Sequence, residues 1–292
     1  MRSVLMRTIP CNIAFLALVF ITGCSVQQLA VRSMGGVFDQ AMVAVKAEED
    51  LIIAEQAIAS DLKLLDGFLE TDPKNERILL LACEGYASYA LAFASDSAER
   101  ALLFYMRARD YGLRALRLRG IADSLFQGNL NSLRTALRKL PNDAIPIVFW
   151  TANSWGNAIN LQRDNPDALA ELPSVNAMME WVISRDPTFF YGGPLLYFGV
   201  YYGSRPAILG GNLDSSKAYF DKAIAVSDGK FLMTLVFYAE TYAVQVQDES
   251  LFRNLLTRVI EAPIDILPEQ RLANAVAKAR AKRLLARMGD LF

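Results

Sequence analysis

The chain has 292 residues, with 30 Lys and Arg against 31 Asp and Glu, three cysteines, no histidine and a 53% share of hydrophobic side chains. Its near-balanced charge offers no single-sign excess of the kind that binds nucleic acid or an anionic membrane surface. The lack of histidine removes Ser-His-Asp and Cys-His mechanisms and every imidazole metal site.

Arg2 and Arg7 precede an apolar run, Ile13 to Ile21, that leaves through Thr22, Gly23 and Cys24. A basic end, a short apolar core and small residues at the exit make a secretory signal peptide. The span from Ile9 to Ile21 falls short of the roughly 20 apolar residues that cross a bilayer. Its exit, Ile21-Thr22-Gly23-Cys24, resembles a bacterial lipobox, whose cysteine is diacylated and becomes the new N-terminus after cleavage. Residues 1–23 are thus expected to be a lipoprotein signal peptide and Cys24 the lipidation site. Two or three acyl chains anchor far more firmly than one, so the expected place is the periplasmic side of a membrane, the outer favoured over the inner. Cys11 leaves with the signal. Cys83, in the run Ile78 to Cys83, then reads as a small core residue rather than a reactive thiol.

Residues 24–37 read as a lipidated tether with a flexible point at Gly35-Gly36, and residues 38–292 as one all-helical domain. Apolar residues recur at helical spacing through Phe38–Glu70, Glu76–Ala94, Ser97–Leu118, Ala122–Leu140 and Ala144–Leu161. Proline ends several of them at Pro73, Pro141 and Pro187, since the residue before proline disfavours helical angles. A four-then-three spacing repeats at Asp61/Leu65/Phe68, Asn129/Leu133/Ala136, Val175/Met179/Val182 and Ser216/Phe220/Ala223. Pro73 and Pro141 stand apart by twice the roughly 34-residue period of a tetratricopeptide array. The pattern predicts an all-α fold of tetratricopeptide-like helical hairpins, closed into a compact bundle or solenoid.

The segment Ser97–Leu118 carries Arg100, Arg107, Arg109, Arg114 and Arg117, with Arg119 just beyond. It reads either as a solvated face complementing a helix C-terminus or as a docking patch for an acidic partner. Trp150 and Trp155, five residues apart, point to different sides of one helix, so one can line a cavity while the other packs. Beyond Pro187, Phe189, Phe190, Tyr191, Tyr197, Phe198, Tyr201 and Tyr202 crowd into one short stretch, with Gly192-Gly193-Pro194 among them and Gly203-Ser204-Arg205-Pro206 just after. These rings suit an aromatic core helix with a long turn, and long Gly/Pro-rich loops in helical arrays are often functional. Arg205 could pair with a ligand carboxylate or with a local helix terminus. Glu240, amid Phe237, Tyr238 and Tyr242, is either exposed or a buried carboxylate for which Arg205 is one candidate partner. Helices over Phe231–Val246, Asp248–Glu261 and Pro268–Met288 finish the array.

No Walker motif, no G-x-G-x-x-G and no thiolate cluster is present, so an enzyme is not expected, nor any cofactor or metal. Several features together resemble the TRAP transporter T-component (TatT) lipoproteins. They are the lipobox, the helical hairpins, Gly192-Gly193-Pro194-Leu195-Leu196-Tyr197, Arg205-Pro206, Leu209-Gly210-Gly211, Lys217-Ala218 and Ala239-Glu240. The resemblance implies an accessory of a tripartite ATP-independent periplasmic transporter. It implies a homo-oligomer, a trimer in this family, that partners a solute-binding P-component and holds a small hydrophobic or carboxylate ligand in a pore. The residues expected to bind it are Trp150, Trp155, Tyr191, Tyr197, Tyr201, Arg205 and Glu240. The alternative is a tetratricopeptide lipoprotein scaffold for envelope or pilus assembly, with a groove for a partner's peptide.

Overall fold

The computed structural model describes residues 23–292, so the expected signal peptide, Gly23 apart, lies outside the described residues. Among them there is no β-strand; the chain is all-α. Two helices, α1 (Gly23–Ser33) and α2 (Gly35–Lys46), occupy the segment read as a tether, with a break at Met34 where the glycine pair begins. Val31 is the buried anchor of α1, and the Arg32 guanidinium grips buried Asp72. The longer helices that follow are α3 (Leu51–Thr71), α4 (Glu76–Phe93) and α5 (Ala98–Leu118). Each opens on a polar residue, Asp50, Asn75 or Ser97, whose side-chain oxygen accepts a free amide of the first turn.

After a short α6 (Ser124–Gln127) come α7 (Leu130–Arg138), α8 (Ile145–Asn160), α9 (Pro166–Ala170) and α10 (Leu172–Arg185). The aromatic segment is helical too, as α11 (Phe189–Gly203), and pairs with α12 (Leu213–Val226) in a close hairpin. The remaining helices are α13 (Leu232–Tyr238), α14 (Glu249–Glu261) and α15 (Arg271–Ala286). Between α13 and α14 the turn Ala239–Ala243 is wider than an α-turn, with the amide of Val244 donating to the carbonyl of Ala239 five residues back.

Two of the four-then-three triplets lie wholly where helices meet, whereas Asp61 and Asn129, which open the other two, are exposed. Val175, Met179 and Val182 are fully buried, as are Ser216, Phe220 and Ala223. Ser216 donates its hydroxyl to the Gly199 carbonyl, which draws α12 against α11. Two apolar cores result. One gathers α3, α4, α5, α8 and α10 around Tyr86, Phe149 and Met179; the other gathers α12 to α15 around Phe220, Leu235 and Phe252. Phe190 packs against both. It sits in a short left-handed turn, with Phe190 at φ 45°, Tyr191 at φ 57° and Gly192 at φ 81°. Each non-glycine residue held this way costs about 1–2 kcal/mol. Ring contacts of Phe190 with Trp150 at 4.8 Å and Phe231 at 5.6 Å offset that strain.

The arginine run on α5 is laced into the protein. Arg100 bonds to the Tyr89 hydroxyl, Arg107 lies over the Tyr86 ring, Arg109 over Trp155 and Arg114 over Tyr111. Arg117 pairs with Asp123, and Arg119 with both Glu76 and Asp143. These cations stitch neighbouring helices and do not stand as a patch of free charge.

Candidate functional site

A cavity of about 530 Å³ lies along the seam between the two cores, walled by residues from α2, α3, α4, α5, α8, α11, the wide turn and α15. Its walls are mainly apolar, through Leu62, Phe149, Trp150, Leu196, Phe231 and Val276. The lining reaches the surface at exposed Asp61 and again at Leu161 and Arg163. On the α2 side Lys46 pairs with Glu84 at 3.1 Å, so these two charges in the lining answer each other.

α8 supplies the first polar group. Its apolar sequence is interrupted at Asn153, Asn157 and Asn160, spaced four and three, which places all three on the cavity side. Asn157 donates to the Asn153 carbonyl at 2.9 Å, a local bond that fixes its orientation. Gly156, on the same wall, has a function that only a missing side chain can serve: a Cβ there would stand 2.8 Å from the Tyr197 ring. The Tyr197 hydroxyl is tied to Asn176 at 2.8 Å, and burial pushes its phenol well above the usual range.

Arg205 follows at the end of α11. Its guanidinium lies 4.4 Å from the Tyr201 ring centre and donates to the Tyr201 carbonyl at 2.9 Å and the Ser204 hydroxyl at 3.3 Å. The loop folds back on this residue: a Cβ at Gly211 would fall 1.8 Å from the Arg205 carbonyl oxygen. Among the described residues no carboxylate comes within ion-pair distance of Arg205. Burial draws its guanidinium below the ordinary value, as expected for a cation kept from water without a counter-ion. A half-buried cation beside apolar walls and amide groups is suited to an anionic head group.

The second polar group is centred on Glu240 in the wide turn. Its carboxylate is held by Arg280 through two bonds, 2.7 and 3.0 Å, and the two side chains are 18% and 20% exposed. The partner of Glu240 is therefore Arg280 and not Arg205, forty residues away on the last helix and invisible to local spacing. Burial pushes the Glu240 carboxyl up, with Arg280 pulling against it.

Of the residues expected to bind a ligand, Trp150, Tyr197, Tyr201, Arg205 and Glu240 line this cavity. Trp155 and Tyr191 do not. The Trp155 indole N–H donates to Glu171, and its ring meets Phe126 at 5.4 Å, because five helical residues turn it to the far side from Trp150. Tyr191 is swung out by the left-handed turn, stacks on Phe231 at 5.1 Å and reaches Glu269 with its hydroxyl. Asn153, Asn157, Tyr105 and Arg280 line the cavity without having been expected. The asparagine stripe on an apolar helix is the one of these that carries a readable signal. Cys83 is buried beside Ser154, its thiol pushed up to about 12 by that burial, which leaves it inert.

No group of three or more Cys, Asp or Glu among the described residues could hold a metal ion, and no described helix is long and apolar enough to cross a membrane. No curated protein matches the chain. The TRAP transporter T-component family matches residues 47–292, a stretch that takes in every helix from α3 onward and both polar groups of the cavity. With that match spanning most of its length, the chain belongs to the TRAP transporter T-component family, whose members are accessories of TRAP-type solute transporters.

Proposed function

We propose that the protein is a periplasmic lipoprotein, anchored through Cys24, that holds a small hydrophobic carboxylate and docks with the solute-binding P-component of its transporter. The observation that carries this is Arg205, a cation without a carboxylate partner at the wall of a mainly apolar cavity. Apolar burial would supply most of the affinity, and the guanidinium, with Asn153 and Asn157, would orient the head group. The chemistry on offer is binding without catalysis. A cavity enclosed by helices suits a small molecule better than the open groove that a peptide-binding scaffold needs. Self-association, as a trimer, would present several such cavities to one transporter.

The test is native mass spectrometry of the soluble form that starts after Cys24, alone and mixed with the solute-binding P-component of its TRAP transporter. A self-oligomer that binds that protein and retains a hydrophobic acid is the expected result. A ligand-free monomer that ignores the P-component would overturn the proposal in favour of an assembly scaffold.

A further inference from the structure

The cavity holds a polar group that recognition of a carboxylate leaves unused. Tyr105 is 5% exposed and lines the cavity, yet its hydroxyl has no hydrogen-bond partner among the described residues. That oxygen opens onto the cavity, so its bonding capacity is turned toward whatever the cavity holds. Tyr105, on α5, has the Glu240–Arg280 pair near it, whereas Arg205, just past the end of α11, has Tyr197, Tyr201 and Arg163 about it. The two polar groups therefore sit apart on the wall.

Their chemistry differs as well. Arg205 is an unbalanced cation. At the other position the Arg280 fork is matched in both of its bonds by the Glu240 carboxylate, so the pair is neutral as a unit. A second carboxylate brought there would face Glu240, and an ammonium would face Arg280. Burial keeps the Tyr105 phenol protonated, able both to donate and to accept one bond. Such a site favours an uncharged hydroxyl or carbonyl.

We infer that the ligand is a two-ended molecule, a hydrophobic acid whose carboxylate meets Arg205 and whose far part carries a hydroxyl or keto group bound at Tyr105, Glu240 and Arg280. This rests on the proposed carboxylate-binding role of the cavity and adds the class of acid. A plain fatty acid would leave the Tyr105 hydroxyl unpartnered and would bind less tightly, because a buried polar group without a partner forfeits a hydrogen bond.

Calorimetric titration of the soluble protein with lauric acid and with ω-hydroxylauric acid decides the matter. The hydroxy acid should bind about tenfold more tightly, the scale of one buried hydrogen bond. Tyr105→Phe, checked by circular dichroism and melting temperature, should erase that preference, with lauric acid binding at least as tightly as to the wild type because no hydroxyl is left unpartnered; Arg205→Met should weaken both acids alike. Equal binding of the two acids by the wild type, or a preference that survives in Tyr105→Phe, would overturn the inference and leave carboxylate binding intact. Failure of both acids to bind would refute the carboxylate reading itself, and this inference with it.

Discussion

Replacing Arg205 with Met removes the charge and keeps an apolar stem over the Tyr201 ring. A charged hydrogen bond to a carboxylate contributes about 1.5–3 kcal/mol, so the dissociation constant for lauric acid should rise about 10- to 150-fold. Stability should move far less. The substitution loses the bonds to the Tyr201 carbonyl and the Ser204 hydroxyl, about 1 kcal/mol together for one good bond and one long one, and the ring contact at 4.4 Å, about 0.5–2 kcal/mol. It also relieves a cation desolvated without a counter-ion, a burden of comparable size for a half-buried charge. The terms offset to within about 1 kcal/mol, or roughly 2–4 °C in melting temperature. Calorimetry and thermal unfolding on the same preparations read both quantities. A fall in melting temperature well beyond that range with unchanged affinity would mean that Arg205 is a clamp on the loop, and the argument from an unpaired cation would be refuted.

Other substitutions probe other parts of the fold. Gly156→Ala should press a methyl into the Tyr197 ring, costing about 1–3 kcal/mol of stability and weakening acid binding, readable by denaturant titration and calorimetry. Trp155→Phe should lose the bond to Glu171 and about 1–2 kcal/mol while leaving ligand affinity unchanged, because its ring faces away from the cavity; a loss of affinity would contradict that placement. Asp66 is opposed by burial, yet bonds from Lys63, Tyr111 and Tyr86 hold its carboxyl below the usual value. Its stabilising contribution is present above the unfolded value near pH 4 and is lost as pH falls through the lower folded value. In Asp66→Asn, the loss of stability with acidification through that range should therefore be shallower than in the wild type when followed by urea unfolding.

Helices were legible in this sequence wherever packing and punctuation agree. Val175, Met179 and Val182 recur at four and three because one face of α10 is buried, and Asp186-Pro187 ends the helix where the spacing stops. The helical structure over residues 23–37 was not legible because Gly35-Gly36 suggests flexibility locally, while Val31 and Arg32 are held by distant partners on α3 and at Asp72. The left-handed turn could not be read, since nothing in Phe190-Tyr191 announces a positive φ. It took Tyr191 out of the site, a tertiary outcome of ring packing on both cores. The cavity itself was half legible. Aromatics and Arg205 stood out by composition, but the Glu240–Arg280 pair joins residues forty apart, and no local motif singles out Tyr105.

The wide turn at Ala239–Ala243 has a bearing on how such a protein changes over generations. A turn closing five residues back carries one residue more than the helix around it needs. Deleting one residue there would make the backbone more regular and rotate whatever lies on one side by about 100°. Glu240 would then leave Arg280, and the cavity would lose its neutral polar group without losing a helix. A single codon gained or lost inside a helix, with no loop altered, is thus enough to change the polar lining of the cavity.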